Sequence, residues 1–264
     1  MECTGSAPGG PQDPGSGCGL RLFVFPHAGG WSLMYREWPD RFPSDWRVRV
    51  LDAPGHGALL DTPPLTDGET LVAYFLDLLA PEIADGRTPF AFFGHSMGSL
   101  VAYELTRRLL AEGLTPPVWL GISALGTPRP GDEAAPLLDG TLSDDALRHL
   151  LGTLGGTPAQ VLTDPHLWTV FAPAIRADLA VLRGLRAAPA AAPLPVALSA
   201  FAGSGDRAAP PARLAPWADR TEHFLGLRVF PGGHFYFQDD LGALAARVTA
   251  DVRTALRSPV AGVR

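Results

Sequence analysis

The stretch FAFFGHSMGSLVAYELTRRLLAEG, residues 90–113, constrains this chain more than any other. An apolar run of strand length passes into a helical pattern, and the turn between them, GHSMG, carries glycine at both ends. A buried strand feeding a helix accounts for both runs, and Gly113 supplies the helix stop. A serine on such a strand-to-helix turn has its hydroxyl raised above the sheet edge. Gly94 and Gly98 are then needed because so tight a turn leaves no room for side chains against strand and helix. The plainer reading, Ser96 as a glycine-flanked N-cap, stays open at this point.

Segments on either side repeat the strand and helix alternation. LRLFVF (20–25), WRVRVLDA (46–53), VWLGIS (118–123), LPVALSAFAG (194–203) and LGLRVFPGG (225–233) read as strands. ETLVAYFLDLLAPEI (69–83) has helical spacing, and DLGALAARVTADVRTAL (240–256) is a closing helix with Asp239 and Asp240 at its N-terminus. Between about 126 and 190 the alternation breaks. SDDALRHLLGTLGG and DPHLWTVFAPAIRADLAVLRGL are amphipathic helices with no strand between them, started by Ser143 and by Asp164 followed by Pro165. The expected architecture is therefore α/β: one domain over 20–258, a mostly parallel central sheet with helices on both faces, and a helical cap inserted at about 130–190. Residues 1–19 form a Gly/Pro/Ser-rich leader too poor in apolar surface to order itself, and 259–264 a tail.

Composition closes off other chemistries. Cys3 and Cys18 both lie in the leader, so neither a disulfide framework nor a cysteine nucleophile is expected. All 21 basic residues are arginine, which removes P-loop, Schiff-base and lysine-base enzymes together. A net charge of −6 argues against nucleic acid as partner. No apolar run reaches the roughly 18 residues of a membrane span, and the first residues lack an export signal, so the cytoplasm is the expected location. No metal-ligand cluster is evident, and no cofactor is implied.

A serine hydroxyl is a weak nucleophile until a base takes its proton, and the base needs an orienting carboxylate. His234, in PGGHFYF, follows the last strand and falls at the carboxyl edge of the sheet. Asp206, in FAGSGDRAAPP, follows the penultimate strand, giving the chain order Ser, Asp, His that α/β-hydrolases use. Among the other histidines, His223 reads as part of a polar helical segment, and His149 and His166 as cap surface. His95 packs against neighbouring loops, His27 shapes its own loop, and His56, in PGHG, could line the site entrance. Asp178, on a cap helix, and Asp219, on a helical surface, are weaker candidates for the acid. The oxyanion needs two N–H donors aimed at one point. One falls to Met97, at the positive end of its helix, and the other to Ala28 in FPHAGG, a turn resembling the HGGG loop of esterases.

FPHAGG, FGHSMGSLVAYEL, LGGTPAQVL, RADLAVL, SGDRAAPP and PWADRTEHFLGLRVFPGGHFYF together resemble the standalone type II thioesterases of polyketide and nonribosomal peptide synthesis, over residues 20–255. The resemblance implies an α/β-hydrolase fold, with Ser96, Asp206 and His234 as catalytic residues and Ala28 and Met97 as oxyanion donors. It also implies an acyl-thioester substrate on the phosphopantetheine arm of an acyl or peptidyl carrier protein, cleared by editing hydrolysis without metal or cofactor, in a monomeric enzyme. The chain departs from the family pattern at LDAPGHG and at Ser99, where a glycine is usual. Cap residues Leu151, Leu154, Leu167, Trp168, Phe171 and Leu182 are expected to shape the acyl chamber. Acyl transfer or cyclisation by the same site, a small-ester carboxylesterase and a noncatalytic carrier-binding module are the alternatives.

Overall fold

The computed structural model describes residues 19–84, 86–128, 142–187 and 192–257. The leader residues before 19, both cysteines, the tail and the start of the cap insertion lie outside these. Six strands, β1 (Leu20–Phe25), β2 (Trp46–Val50), β3 (Phe90–His95), β4 (Trp119–Ser123), β5 (Leu194–Gly203) and β6 (Thr221–Phe230), make one sheet in the order β2-β1-β3-β4-β5-β6, every neighbouring pair parallel. Helices α1 (Gly68–Ile83) and α2 (Met97–Ala111) follow β2 and β3. Helices α3 (Asp144–Leu154), α4 (Ala159–Thr163) and α5 (Pro165–Arg186) lie between β4 and β5, α6 (Pro211–Leu214) between β5 and β6, and α7 (Leu241–Arg257) closes the chain.

The inner strands β1, β3, β4 and β5 are buried along almost their whole length because both faces of the sheet are covered. Phe23, Phe25, Phe92, Leu120 and Ile122 join α1, α2 and α5 in one core. Leu22, Val24, Phe93, Trp119 and Phe201 alternate with them and pack under α7. Asp164 caps α5, accepting N–H bonds from His166 and Leu167 at 2.8 and 3.1 Å, and Ser143 caps α3 by accepting from Ala146 at 3.2 Å. Between β4 and β5 the described residues contain helices and no strand; the one-turn α4 left no periodic signal.

One segment differs from expectation. His223 lies in β6, which begins at Thr221, and not in a helix. β6 is an edge strand, so Glu222 and His223 stay exposed and their polarity hides the strand. Thr221 fixes its start by donating its hydroxyl to the Val196 carbonyl at 2.5 Å.

The sheet order reverses between β1 and β3, the place where open parallel sheets leave a crevice at their carboxyl ends. The loop after β1 and the turn after β3 both open there. They meet closely: a Cβ on Gly98 would sit 2.0 Å from the Phe25 carbonyl oxygen, and one on Gly94 would sit 2.2 Å from the Gly98 oxygen. Gly98→Ala should therefore destabilise the fold by about 3 kcal/mol, as backbone has to shift to admit the methyl. Urea denaturation measures this, and a change under about 0.5 kcal/mol would show that the contact is not rigid.

Candidate active site

Ser96 sits on the β3–α2 turn with φ 52° and ψ −120°, a left-handed conformation that a side chain rarely adopts. Such a residue stores about 1–3 kcal/mol of strain and persists only where its neighbours hold it. Here the Ser96 N–H donates to the Ser123 carbonyl at 2.8 Å, and Ser96 O accepts from Ser99 N–H at 2.9 Å. The Ser99 hydroxyl lies 2.8 Å from the Gly94 carbonyl and 2.9 Å from that of Ser123, and accepts the Ser123 N–H at 3.0 Å. Ser99, the departure from the usual glycine, thus ties the ends of β3 and β4 to the turn.

Asp206 and His234 arrive on the loops after β5 and β6. Ser204 N–H donates to Phe230 O and Gly205 N–H to Gly232 O, both at 2.8 Å, and a Cβ on Gly203 would meet the Gly233 oxygen at 2.1 Å. The two loops are zipped backbone to backbone. His234 Nδ1 lies 2.8 Å from Asp206 Oδ2, while Asp206 Oδ1 accepts N–H bonds from Ala208 and Ala209 at 2.9 and 3.0 Å. Burial alone would raise the Asp206 pKa; the His234 contact and the two amides outweigh it and hold the carboxyl below its ordinary value.

Two further histidines stand beside His234. His95 is fully buried, its Nδ1 2.9 Å from Ser123 Oγ, which in turn lies 2.8 Å from the Tyr236 hydroxyl. His27 Nδ1 is 2.9 Å from the Tyr35 hydroxyl. Desolvation, with the nearby charge of His234, pushes His27 down to about 3 and His95 well below its ordinary value. Burial thus keeps both rings neutral, and His27 also lines the cavity beside Ser96. His149, His166 and His223 are exposed.

Ser96, His234 and Ala28 share the wall of one cavity of about 230 Å³. Its apolar lining includes Leu125, Leu150, Leu151, Leu154, Leu179, Leu182 and Phe235. Met97 is buried at the first position of α2, directly after Ser96, so its amide lies at the helix N-terminus. Of the expected chamber residues, Leu151, Leu154 and Leu182 line the cavity. The other three do not: Leu167 is at the surface, Trp168 is buried in the core, and Phe171 stacks on Trp31 with ring centroids 5.3 Å apart. The LGGTP turn also lines the cavity at Gly155 and Thr157. Its second glycine, Gly156, lies against Phe235, where a Cβ would come within 2.1 Å of the ring.

The sequence carries no signal for where Asp178, His56 and Ala124 come to lie. His56 does not line the entrance; it is 4% exposed, its Nε2 2.9 Å from Asp178 Oδ2. Both border a second cavity of about 20 Å³, room for about one water-sized group. The pairing of residues 56 and 178 is long-range, with no local signal. Ala124, directly after β4, has φ 52° and borders the larger cavity. Among the described residues no group of His, Cys, Asp or Glu could hold a metal ion, and no helix is long and apolar enough to cross a membrane.

The family model described as "Thioesterase domain" matches residues 20–252. The gramicidin S biosynthesis protein GrsT of Aneurinibacillus migulanus is 31% identical over 220 residues, 83% of this chain and 84% of that protein. The RedJ thioesterase from the prodiginine pathway of Streptomyces coelicolor superposes with a TM-score of 0.78 at 31% identity, over 94% of this chain and 91% of that one. YbtT, a type II thioesterase from the yersiniabactin pathway, superposes at 0.80 with 26% identity, over 93% and 96%. With an α/β-hydrolase sheet and a match that runs from β1 into α7, the chain belongs to the thioesterase domain family.

Proposed function

We propose that the protein hydrolyses acyl groups from the phosphopantetheine arm of an acyl or peptidyl carrier protein, in editing or release during polyketide or nonribosomal peptide synthesis. The observation that carries this reading is the Asp206–His234 pair, with His234 on the same apolar cavity wall as the strained Ser96. In the mechanism, His234 takes the Ser96 proton as Oγ attacks the thioester carbonyl. The Ala28 and Met97 amides hold the oxyanion. As the C–S bond breaks, His234 returns the proton to the pantetheine sulfur, leaving an acyl-serine. His234 then deprotonates water, which attacks the ester, and returns that proton to Ser96 Oγ as the C–O bond breaks and the free acid leaves. Asp206 holds the imidazole tautomer and stabilises its charged form. The neutral His27 and His95 add no competing positive charge beside the base.

The cavity suits an acyl chain because its walls are mostly aliphatic, and the cap helices α3 and α5 supply much of them. The segment at about 130–190 acts as the cap. The enzyme works in the cytoplasm as a monomer and needs neither metal nor organic cofactor.

Ser96→Ala should abolish hydrolysis of an octanoyl carrier protein, read by intact-protein mass, while the folded state persists; turnover at the wild-type rate would contradict the assignment. In the wild-type reaction the product should be the free acid carrying the oxygen of water, and a product lacking it would indicate transfer to another acceptor.

Asp206→Asn should lower kcat by about 10⁴, because the amide favours the wrong imidazole tautomer. Asp206 has a depressed folded pKa, so its stabilising contribution is present above the unfolded carboxyl value of about 3.8 and disappears as pH falls through the folded value. The stability gap between wild type and Asp206→Asn should shrink as pH falls below about 4. A gap that widens towards acid would contradict this assignment of the charge.

A further inference from the structure

Helix α5 meets the loop after β1 along one face. Phe171 stacks on Trp31 with an interplanar angle of 9°. One turn on, the Ile175 side chain fills the space beside Gly29, leaving 2.8 Å for any added Cβ. At the next turn Asp178 Oδ2 accepts the Gly29 N–H at 2.7 Å, across 149 residues of sequence. Positions 171, 175 and 178 recur at helical spacing, so a single stripe of α5 forms the bed of this loop. Asp178 is 3% exposed, and the same oxygen lies 2.9 Å from His56 Nε2. Burial would lower the His56 pKa; the Asp178 carboxylate, with the Pro54 carbonyl and Asp52, outweighs that and raises it. A buried carboxylate that is paired with an imidazole and also accepts a backbone N–H fixes that N–H in direction. The far end of the loop is pinned separately, where Asp52 accepts from Ser32 N–H at 2.6 Å and from its hydroxyl at 2.8 Å.

We infer that Asp178 is a positioning residue for the oxyanion hole: its hold on the Gly29 amide sets the orientation of the adjoining Ala28 amide. The inference rests on the proposed catalytic reading of Ala28. Its consequence is that the hole is assembled on the cap. When α5 is seated the loop has its donor in place, and when α5 shifts away the loop loses both its stacking partner and its anchor. The cap helix that lines the acyl cavity through Leu179 and Leu182 is thereby coupled to the electrostatics of the reaction.

The test compares Asp178→Ala and Asp178→Asn with wild type, each below its own melting transition. Asparagine keeps an oxygen that can accept the Gly29 N–H; alanine does not. With octanoyl-N-acetylcysteamine thioester, Asp178→Ala should lose about 10²-fold in kcat with KM within about threefold, and Asp178→Asn should stay within about tenfold of wild type in kcat. Labelling of Ser96 by an alkyl fluorophosphonate, which forms the Ser96 O–P bond and expels fluoride, should slow by a similar factor in the alanine variant. Should that variant fail to fold, His56→Leu combined with Asp178→Leu removes the anchor without leaving a buried charge, and the same loss is expected. Wild-type labelling rates in the anchorless variants, or an asparagine variant as impaired as alanine, would overturn the role of Asp178 alone. Absence of wild-type labelling would overturn the reading of the site itself, and this proposal with it.

Discussion

Between Gly98 and the carbonyl oxygens of Phe25 and Pro26 there is no space for a methyl group, and the geometry of the site follows from that approach. The N-terminus of α2 is pressed against the end of β1, so the amide after Ser96 and the loop that begins at Pro26 face one crevice. Holding them there forces Ser96 into a positive φ, at a cost of about 1–3 kcal/mol. Hydrogen bonds through Ser99 and Ser123 offset that cost by tying the turn to the ends of β3 and β4.

Around this turn the structure separates charge from apolar volume. His27 and His95 are buried, hydrogen-bonded and neutral, while the buried Asp206 carboxylate is matched by His234 and two amides. A low-dielectric surround strengthens each of these contacts and would penalise an unmatched charge heavily. The cavity beside Ser96 is lined in part by α3 and α5, and α5 also anchors the loop after β1 through Asp178.

Much of this was legible in the sequence, for identifiable reasons. Buried parallel strands write themselves as continuous apolar runs, and GHSMG marks its turn through glycines that have no steric alternative. Asp206 and His234, which the structure brings within 2.8 Å, could be picked out as candidates because they follow strands, where loops converge at the carboxyl edge. Long-range partners could not. Nothing near His56 or Asp178 announces that they meet, and Asp178 read as an ordinary cap carboxylate. Phe171 and Trp168 carry the same amphipathic signature as Leu151 and Leu182, so the pattern alone could not separate residues facing the cavity from those facing Trp31 or the core. At Glu222 and His223 an edge strand's solvated side masked the strand.

In the proposed reaction Ser96 carries the acyl group between the two half-reactions. Rapid acid quenching of the wild-type enzyme with an octanoyl thioester, followed by peptide mass mapping, tests it most directly. An octanoyl mass increment is expected on the peptide containing Ser96, formed before free acid accumulates. Free acid produced with no covalent intermediate, or an increment on any other residue, would contradict it.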